Sequence, residues 1–176
     1  MDGPTLTTDR LILRLPVAED LDGWAALMGD EGSARFIGGL QTRLGSWRGL
    51  ASMAGSWGLQ GFGMFSVIER ETGQWIGRVG PWRPDGWPGD EIGWGLLRSH
   101  WGRGLAAEAA VATMAWAHDA LGWRDVIHCI RAENLPSRAL ARRLGSRFLR
   151  MDRLPPPHDE AEIEIWGQTL PARTVP

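Results

Sequence analysis

The sequence predicts an α/β domain (α+β in some schemes) built on a mixed sheet. Three observations lead there. Apolar runs of strand length alternate with turn residues through the middle of the chain, one such run passes through glycines into an alanine-rich helix and on to another strand, and two further strands follow near the C-terminus. Strand, helix, strand in that order makes a parallel crossover, whereas the tight turn Arg70–Gly73 makes an antiparallel pair. With 176 residues, 43% of them hydrophobic, the chain can bury a sizeable core as one domain, 1–176.

Leu6 to Leu15 alternates as a first strand, with Leu11 and Leu13 on one side and Ile12 on the other, and ends at Pro16. Asp20 to Met28 is a helix with Leu21, Trp24, Leu27 and Met28 on one face and acidic residues in its first turn. A second helix covers Arg43 to Trp57, where Gly45, Gly49 and Gly55 each weaken it by roughly 1 kcal/mol and predict a loosened, mobile element. Gly63–Glu69 and Gln74–Gly80 form a hairpin around Arg70–Gly73. An irregular, proline-bearing loop from Pro81 to Gly89 leads to the strand Glu91–Leu97. A helix from Leu105 to Ala120 stops at Gly122, and Val126–Arg131 is the strand after it. Pro136–Leu144 is a helix with proline in its first turn and Gly145 at its end. Arg147–Arg153 and Glu160–Gly167 close the sheet as an antiparallel pair around Pro155–Pro157.

Composition removes several classes. A net charge of -2 gives no electrostatic basis for nucleic acid or an anionic membrane as partner, while an amine-bearing substrate is compatible with it. The start, Met1-Asp-Gly-Pro-Thr, lacks a signal pattern and no run approaches a membrane span of about 18 apolar residues, so a cytoplasmic protein is expected. The single cysteine, Cys129, sits in a strand-like apolar run and reads as structural. His100, His118, His128 and His158 have no metal-ligand spacing, so no metal is expected. Eleven tryptophans against no tyrosine raise a carbohydrate-binding module. Trp24, Trp47, Trp57, Trp116 and Trp123 instead fall in or beside helices, where core positions account for them.

The segment Trp101-Gly-Arg-Gly-Leu-Ala106 carries the chemistry. Gly102 and Gly104 allow positive φ and close backbone approach, and the free N–H groups opening the helix at Leu105 favour an anion such as a pyrophosphate. A nucleotide triphosphatase is excluded, because its glycine loop needs a lysine and the chain has none. Gly102-Arg-Gly104-Leu-Ala-Ala107 also satisfies a dinucleotide fingerprint, with Asp125 about 20 residues on. Against an NAD-binding domain stand the polar spacer Arg98-Ser-His100 and too little chain for two nucleotide-binding halves.

The same segment resembles the Gln/Arg-x-x-Gly-x-Gly/Ala signature of GCN5-related N-acetyltransferases (GNAT), in the tryptophan-led variant of the RimJ/RimL-type, ribosomal-protein N-acetyltransferase branch. Thr7–Arg14, Glu91–Trp94, Ala107–Ala109, Asn134–Ser137 and Arg142–Gly145 fall in the expected order, so the resemblance spans nearly the whole chain. It implies a GNAT acyl-CoA N-acyltransferase fold: a mostly antiparallel central sheet, helices on both faces, and a splayed parallel strand pair holding acetyl-CoA. Gly93 and Gly95 suit such a gap, or else tight packing. The cofactor contacts it implies are Leu96, Leu97, Arg98, Trp101, Gly102, Arg103, Gly104, Leu105, Ala106, Asn134 and Ser137, with a backbone N–H near Leu96 or Leu97 for the oxyanion.

Transfer needs a neutral amine. A lysine amine is only about 0.1% neutral near pH 7.4, an α-amine roughly a quarter, so the latter demands less of a base. Glu91 is the candidate base, its carboxyl raised by burial beside Trp94 and Trp87. Ser137 is the candidate hydrogen-bond donor to the departing thiolate, in place of the tyrosine that many relatives use. Glu162, in the last strand, is a candidate to orient the acceptor ammonium, and Glu108 is expected to support the turn. The expected activity is acetyl transfer to an amine-bearing small molecule or a protein N-terminus, by a monomer or homodimer. The alternative is a non-catalytic acyl-CoA-binding domain.

Overall fold

The computed structural model describes residues 3–170. Its strands are β1 (Leu6–Thr7), β2 (Leu11–Arg14), β3 (Phe65–Glu69), β4 (Trp75–Trp82), β5 (Glu91–Leu96), β6 (Asp125–Ile130), β7 (Arg147–Asp152) and β8 (Ile163–Thr169). They form one eight-stranded sheet in the order β1-β2-β3-β4-β5-β6-β8-β7. Every neighbouring pair is antiparallel except β5 and β6. A single parallel pair rules out the doubly wound sheet of a dinucleotide-binding domain. The helices are α1 (Leu21–Gly29), α2 (Glu31–Ala34), α3 (Arg43–Gln60), α4 (Leu105–Leu121) and α5 (Leu135–Arg143).

The expected first strand is two strands. Thr8 closes a turn: its N–H donates to the Leu11 carbonyl and its hydroxyl accepts from the Leu11 N–H at 3.0 Å, so Leu6 comes to lie opposite Leu13. The last strand begins at Ile163 rather than Glu160 and runs on to Thr169, whose hydroxyl donates to Asp125. Asp20, expected to favour the start of α1, is buried instead and accepts from Arg14, Val17 N–H and Ser66, anchoring the helix to the sheet.

Apolar side chains fill both faces. On one, α4 lays Leu105, Ala109, Ala110 and Ala117 against Leu13, Val79, Ile92 and Val126; on the other, α1 and α3 enclose Trp24, Leu27, Met28, Leu50, Met53 and Met64. The alanines let α4 lie close to the sheet. Of the glycines in α3, Gly49 has a packing reason, because a Cβ there would stand 3.1 Å from the Trp24 ring, whereas Gly55 faces open space. Trp47 departs from the expected core position and is 53% exposed, since the buried stripe of α3 runs through Ser46, Leu50, Met53 and Trp57. No helix among the described residues is long and apolar enough to cross a membrane.

Candidate active site

The sheet splits between β5 and β6. Their parallel pairing is confined to Glu91 opposite Ile127, with Ile127 N–H donating to Asp90 at 2.9 Å. Beyond that point side chains replace the backbone ladder. Glu91 Oε1 accepts from Cys129 N–H at 3.1 Å, and His128 Nδ1 bonds the Ile92 carbonyl at 2.7 Å. A buried N–H or carbonyl left unpaired is costly, so these two bonds close the vertex of the gap while its far end stays open.

Into that opening leads a cleft of about 540 Å³, walled by Trp94, Gly95 and Leu96 of β5, the turn from His100 to Gly104, the first residues of α4, the face of α5 bearing Ser137 and Leu140, and Ser33, Phe36 and Ile37 beside α2. Gly102 and Gly104 hold φ of 72° and 77°, left-handed values that favour glycine, and α4 starts directly after them. Glu108 supports this turn as expected. It accepts from the Thr8 hydroxyl and, at 2.9 and 2.7 Å, from Arg10 N–H and Nε, while Arg10 Nη1 reaches the Arg103 carbonyl. Burial alone would raise the Glu108 carboxyl, but these bonds hold it below its ordinary value.

Leu96, Trp101, Gly102, Gly104, Leu105, Ala106, Asn134 and Ser137 all line the cleft. Trp101 donates its indole N–H to the Leu96 carbonyl at 2.8 Å, which fixes the ring at the mouth. Leu97 N–H is already donated to Ile76, so the alternation of a strand leaves Leu96 N–H as the one directed toward the gap. Gly95 lines the cleft under Ile37, whereas Gly93 is covered by Met64, where a Cβ would lie 2.5 Å from the methyl group. Tight packing therefore accounts for Gly93.

The two arginines expected at the phosphates are otherwise placed. Arg103 pairs with Glu69 at 2.6 Å, and Thr72's hydroxyl followed by Arg103 holds that carboxyl low. Arg98 lies against Gly32 and near Asp30 at the start of α2. The cleft is lined instead by Arg35 and Arg143. Sequence reasoning missed Arg143, although Pro136, Ala139, Leu140 and Arg143 share one face of α5 by helical spacing and point to the cleft together.

Glu91 is buried, and burial raises its carboxyl above the ordinary range against the opposing pull of its hydrogen bonds and of Arg78. Its second oxygen accepts from Trp87 Nε1 at 2.6 Å. Trp87 is thus the expected neighbour, but Trp94 is not. Three residues along a strand is the opposite face, and Trp94 packs on His128 with ring centroids 4.8 Å apart. Trp87 also walls a second cavity of about 640 Å³ between α3 and the loop before β5, with Trp82, Asp85, Ser52 and Ser56.

Asn134 caps α5, its Oδ1 accepting from Ser137 N–H at 3.2 Å, which leaves its amide N–H groups for the cleft. Ser137 Oγ lies 3.1 Å from Trp94 Nε1. Glu162 stands apart: it is exposed, precedes β8 and does not line the cleft. Its neighbour Glu164 is the carboxylate bound into the fold, by Arg138 at 3.1 Å and the Trp166 indole at 2.7 Å. Burial pushes the Cys129 thiol far up, with Glu91 adding to the effect, so it is no nucleophile. No group of three or more potential ligands that could hold a metal occurs among the described residues.

A strand pair splayed beside a glycine turn that opens a helix is the architecture of an acyl-CoA acyltransferase. The acetyltransferase (GNAT) domain family matches residues 10–147. Over 136 residues the chain is 32% identical to an uncharacterised N-acetyltransferase, p20, of Bacillus licheniformis, covering 76% of each. The protein belongs to the GNAT acetyltransferases. Its structure is similar to that of an acetyltransferase of Agrobacterium tumefaciens, with a TM-score of 0.81 and 31% identity over 96% of this chain and 95% of that one. RimL, a ribosomal L7/L12 α-N-protein acetyltransferase in complex with coenzyme A, shares the fold with a TM-score of 0.75 at 15% identity, over 95% of this chain and 98% of that one.

Proposed function

We propose that the protein moves the acetyl group of acetyl-CoA to a primary amine, the α-amine of a protein N-terminus or of a small molecule, by direct attack in a ternary complex. The observation that carries this reading is the cleft itself, which joins the anion-favouring turn at Gly102–Gly104 to the open side of β5 and to Ser137. The pyrophosphate sits at the start of α4, with Arg143 and Arg35 adding charge-assisted bonds. The pantetheine arm follows Leu96 and is met by the Asn134 amide.

The acceptor enters the cavity that Trp87 walls and reaches Glu91, which lines neither that cavity nor the cleft, past the Trp87 indole. Glu91 takes the proton of the attacking amine, Leu96 N–H stabilises the oxyanion, and Ser137 donates a hydrogen bond to the sulfur as the C–S bond breaks and its electron pair passes to sulfur. The proton held by Glu91 then passes through solvent to the thiolate, so the sum is acetyl-CoA and amine to amide and CoA thiol, with no metal in any step. Glu162 has no part in it. RimL's action on a protein α-amine favours acceptors of that kind.

The test is titration of tryptophan fluorescence with acetyl-CoA and, in parallel, NAD, followed by assay of CoA release with α-amino peptides and small amines. Trp94 and Trp101 line the cleft, so saturable quenching by acetyl-CoA alone is expected. No response to acetyl-CoA would overturn the cofactor assignment, and binding without turnover on any amine would overturn the transferase mechanism.

A further inference from the structure

We infer that Trp94 is a positioning residue that makes Ser137 a hydrogen-bond donor to the leaving sulfur, and that His128 holds Trp94 in place for it. The inference rests on the role given to Ser137 above. An indole N–H only donates, so at 3.1 Å from Trp94 Nε1 the Ser137 oxygen must accept. One lone pair of that oxygen is thereby taken and the hydroxyl hydrogen is directed elsewhere. Ser137 lines the cleft, so the remaining direction is toward its contents. Accepting a hydrogen bond also polarises the O–H and makes it a better donor.

The indole is itself held. Its ring lies 4.8 Å from that of His128, which is 1% exposed. The Ile92 carbonyl can only accept, so His128 Nδ1 carries the proton and Nε2 accepts from the Ser146 hydroxyl at 3.0 Å. The imidazole is thus fixed at both nitrogens, in one tautomer. Ser146, just after α5, His128, Trp94 and Ser137 form a continuous path of contacts to the cleft wall.

The experiment is the ionisation of the CoA thiol bound to the full-length protein, followed by the ultraviolet absorbance of the thiolate against pH. It needs no amine acceptor. A donor aimed at sulfur favours the thiolate, so Ser137→Ala should raise the pH of half-ionisation by about one unit, the size expected for one hydrogen bond to an anion. Trp94→Phe keeps an aromatic ring and removes the N–H, and should raise it by roughly half a unit, about a threefold loss of thiolate. In the Ser137→Ala background Trp94→Phe should add nothing. Ser137→Thr, which retains a hydroxyl, should remain sensitive to Trp94→Phe. A thiol unchanged by Ser137→Ala would overturn the role of Ser137 and this inference with it. A thiol shifted by Ser137→Ala but not by Trp94→Phe, or equal Trp94→Phe effects with and without Ser137, would overturn the inference alone.

Discussion

Glu91 and His128 stitch the same vertex and respond to acid in different ways. Glu91 must be ionised to act as a base, and burial raises its carboxyl, so kcat/KM should climb with pH along a limb displaced above the ordinary carboxylate range. Glu91→Gln should abolish that limb and lower kcat/KM by about 10²-fold or more, as a pH series on both proteins will show. His128 is drawn down to about 4 by burial, against the pull of the Ile92 carbonyl. Its native form is therefore neutral while the unfolded chain takes up a proton near 6.5. The stability this contributes is complete above the unfolded value and lost as pH falls toward 4, on the order of 3 kcal/mol in all. Urea unfolding across that interval should show a weaker pH dependence for His128→Gln than for the parent chain. At this scale the sequence was readable where strand periodicity was applied. Period two already sets Glu91 and Trp94 on opposite faces, whereas the pairing of Arg103 with Glu69 joins residues 34 positions apart and leaves no local signal.

The elements that wall the cleft meet there largely at their ends, the last residues of β5 and the starts of α4 and α5. At Gly104 an alanine would keep a left-handed φ of 77° at a cost of about 1–2 kcal/mol or else shift the start of α4. Gly104→Ala should thus weaken acetyl-CoA more than it weakens the fold, which fluorescence titration set beside urea unfolding will separate. Arg143→Ala at the end of α5 should raise the dissociation constant for acetyl-CoA about threefold to tenfold, with a smaller effect at high salt. The turn and helix around Gly102–Leu121 were legible because glycine, alanine and the stop at Gly122 act within one or two turns. The split of residues 6–15 into a hairpin was not, since Thr8 is held in its turn partly by Glu108 from across the fold. The four-residue α2 was also unread, being too short for any periodicity and capped by Asp30 alone.

Among the described residues, the two larger of three apolar clusters lie on opposite faces of one sheet, and the cleft lies where that sheet parts. A ligand seated there binds only the folded chain. Acetyl-CoA at about 100 times its dissociation constant should add roughly 2.7 kcal/mol, raising Tm by about 5–10 °C, with no such shift from NAD. The antiparallel hairpins and the one parallel crossover were foreseeable from the sequence, but the place of β8 between β6 and β7 was not, nor the width of the gap, because Glu91 and His128 set it through contacts that sequence separation hides. The ion pairs that brace the turn, Arg10 with Glu108 and Arg103 with Glu69, hold a further consequence. The chain has no lysine, so the permanently charged residues of the turn and the cleft, Arg10, Arg35, Arg103 and Arg143, are all arginines, and a guanidinium that stays protonated offers no nucleophile to a thioester. A protein that carries an activated acetyl group is exposed to modifying itself; this one has no side-chain amine on which that could happen, and the charges holding its own turn survive any number of turnovers.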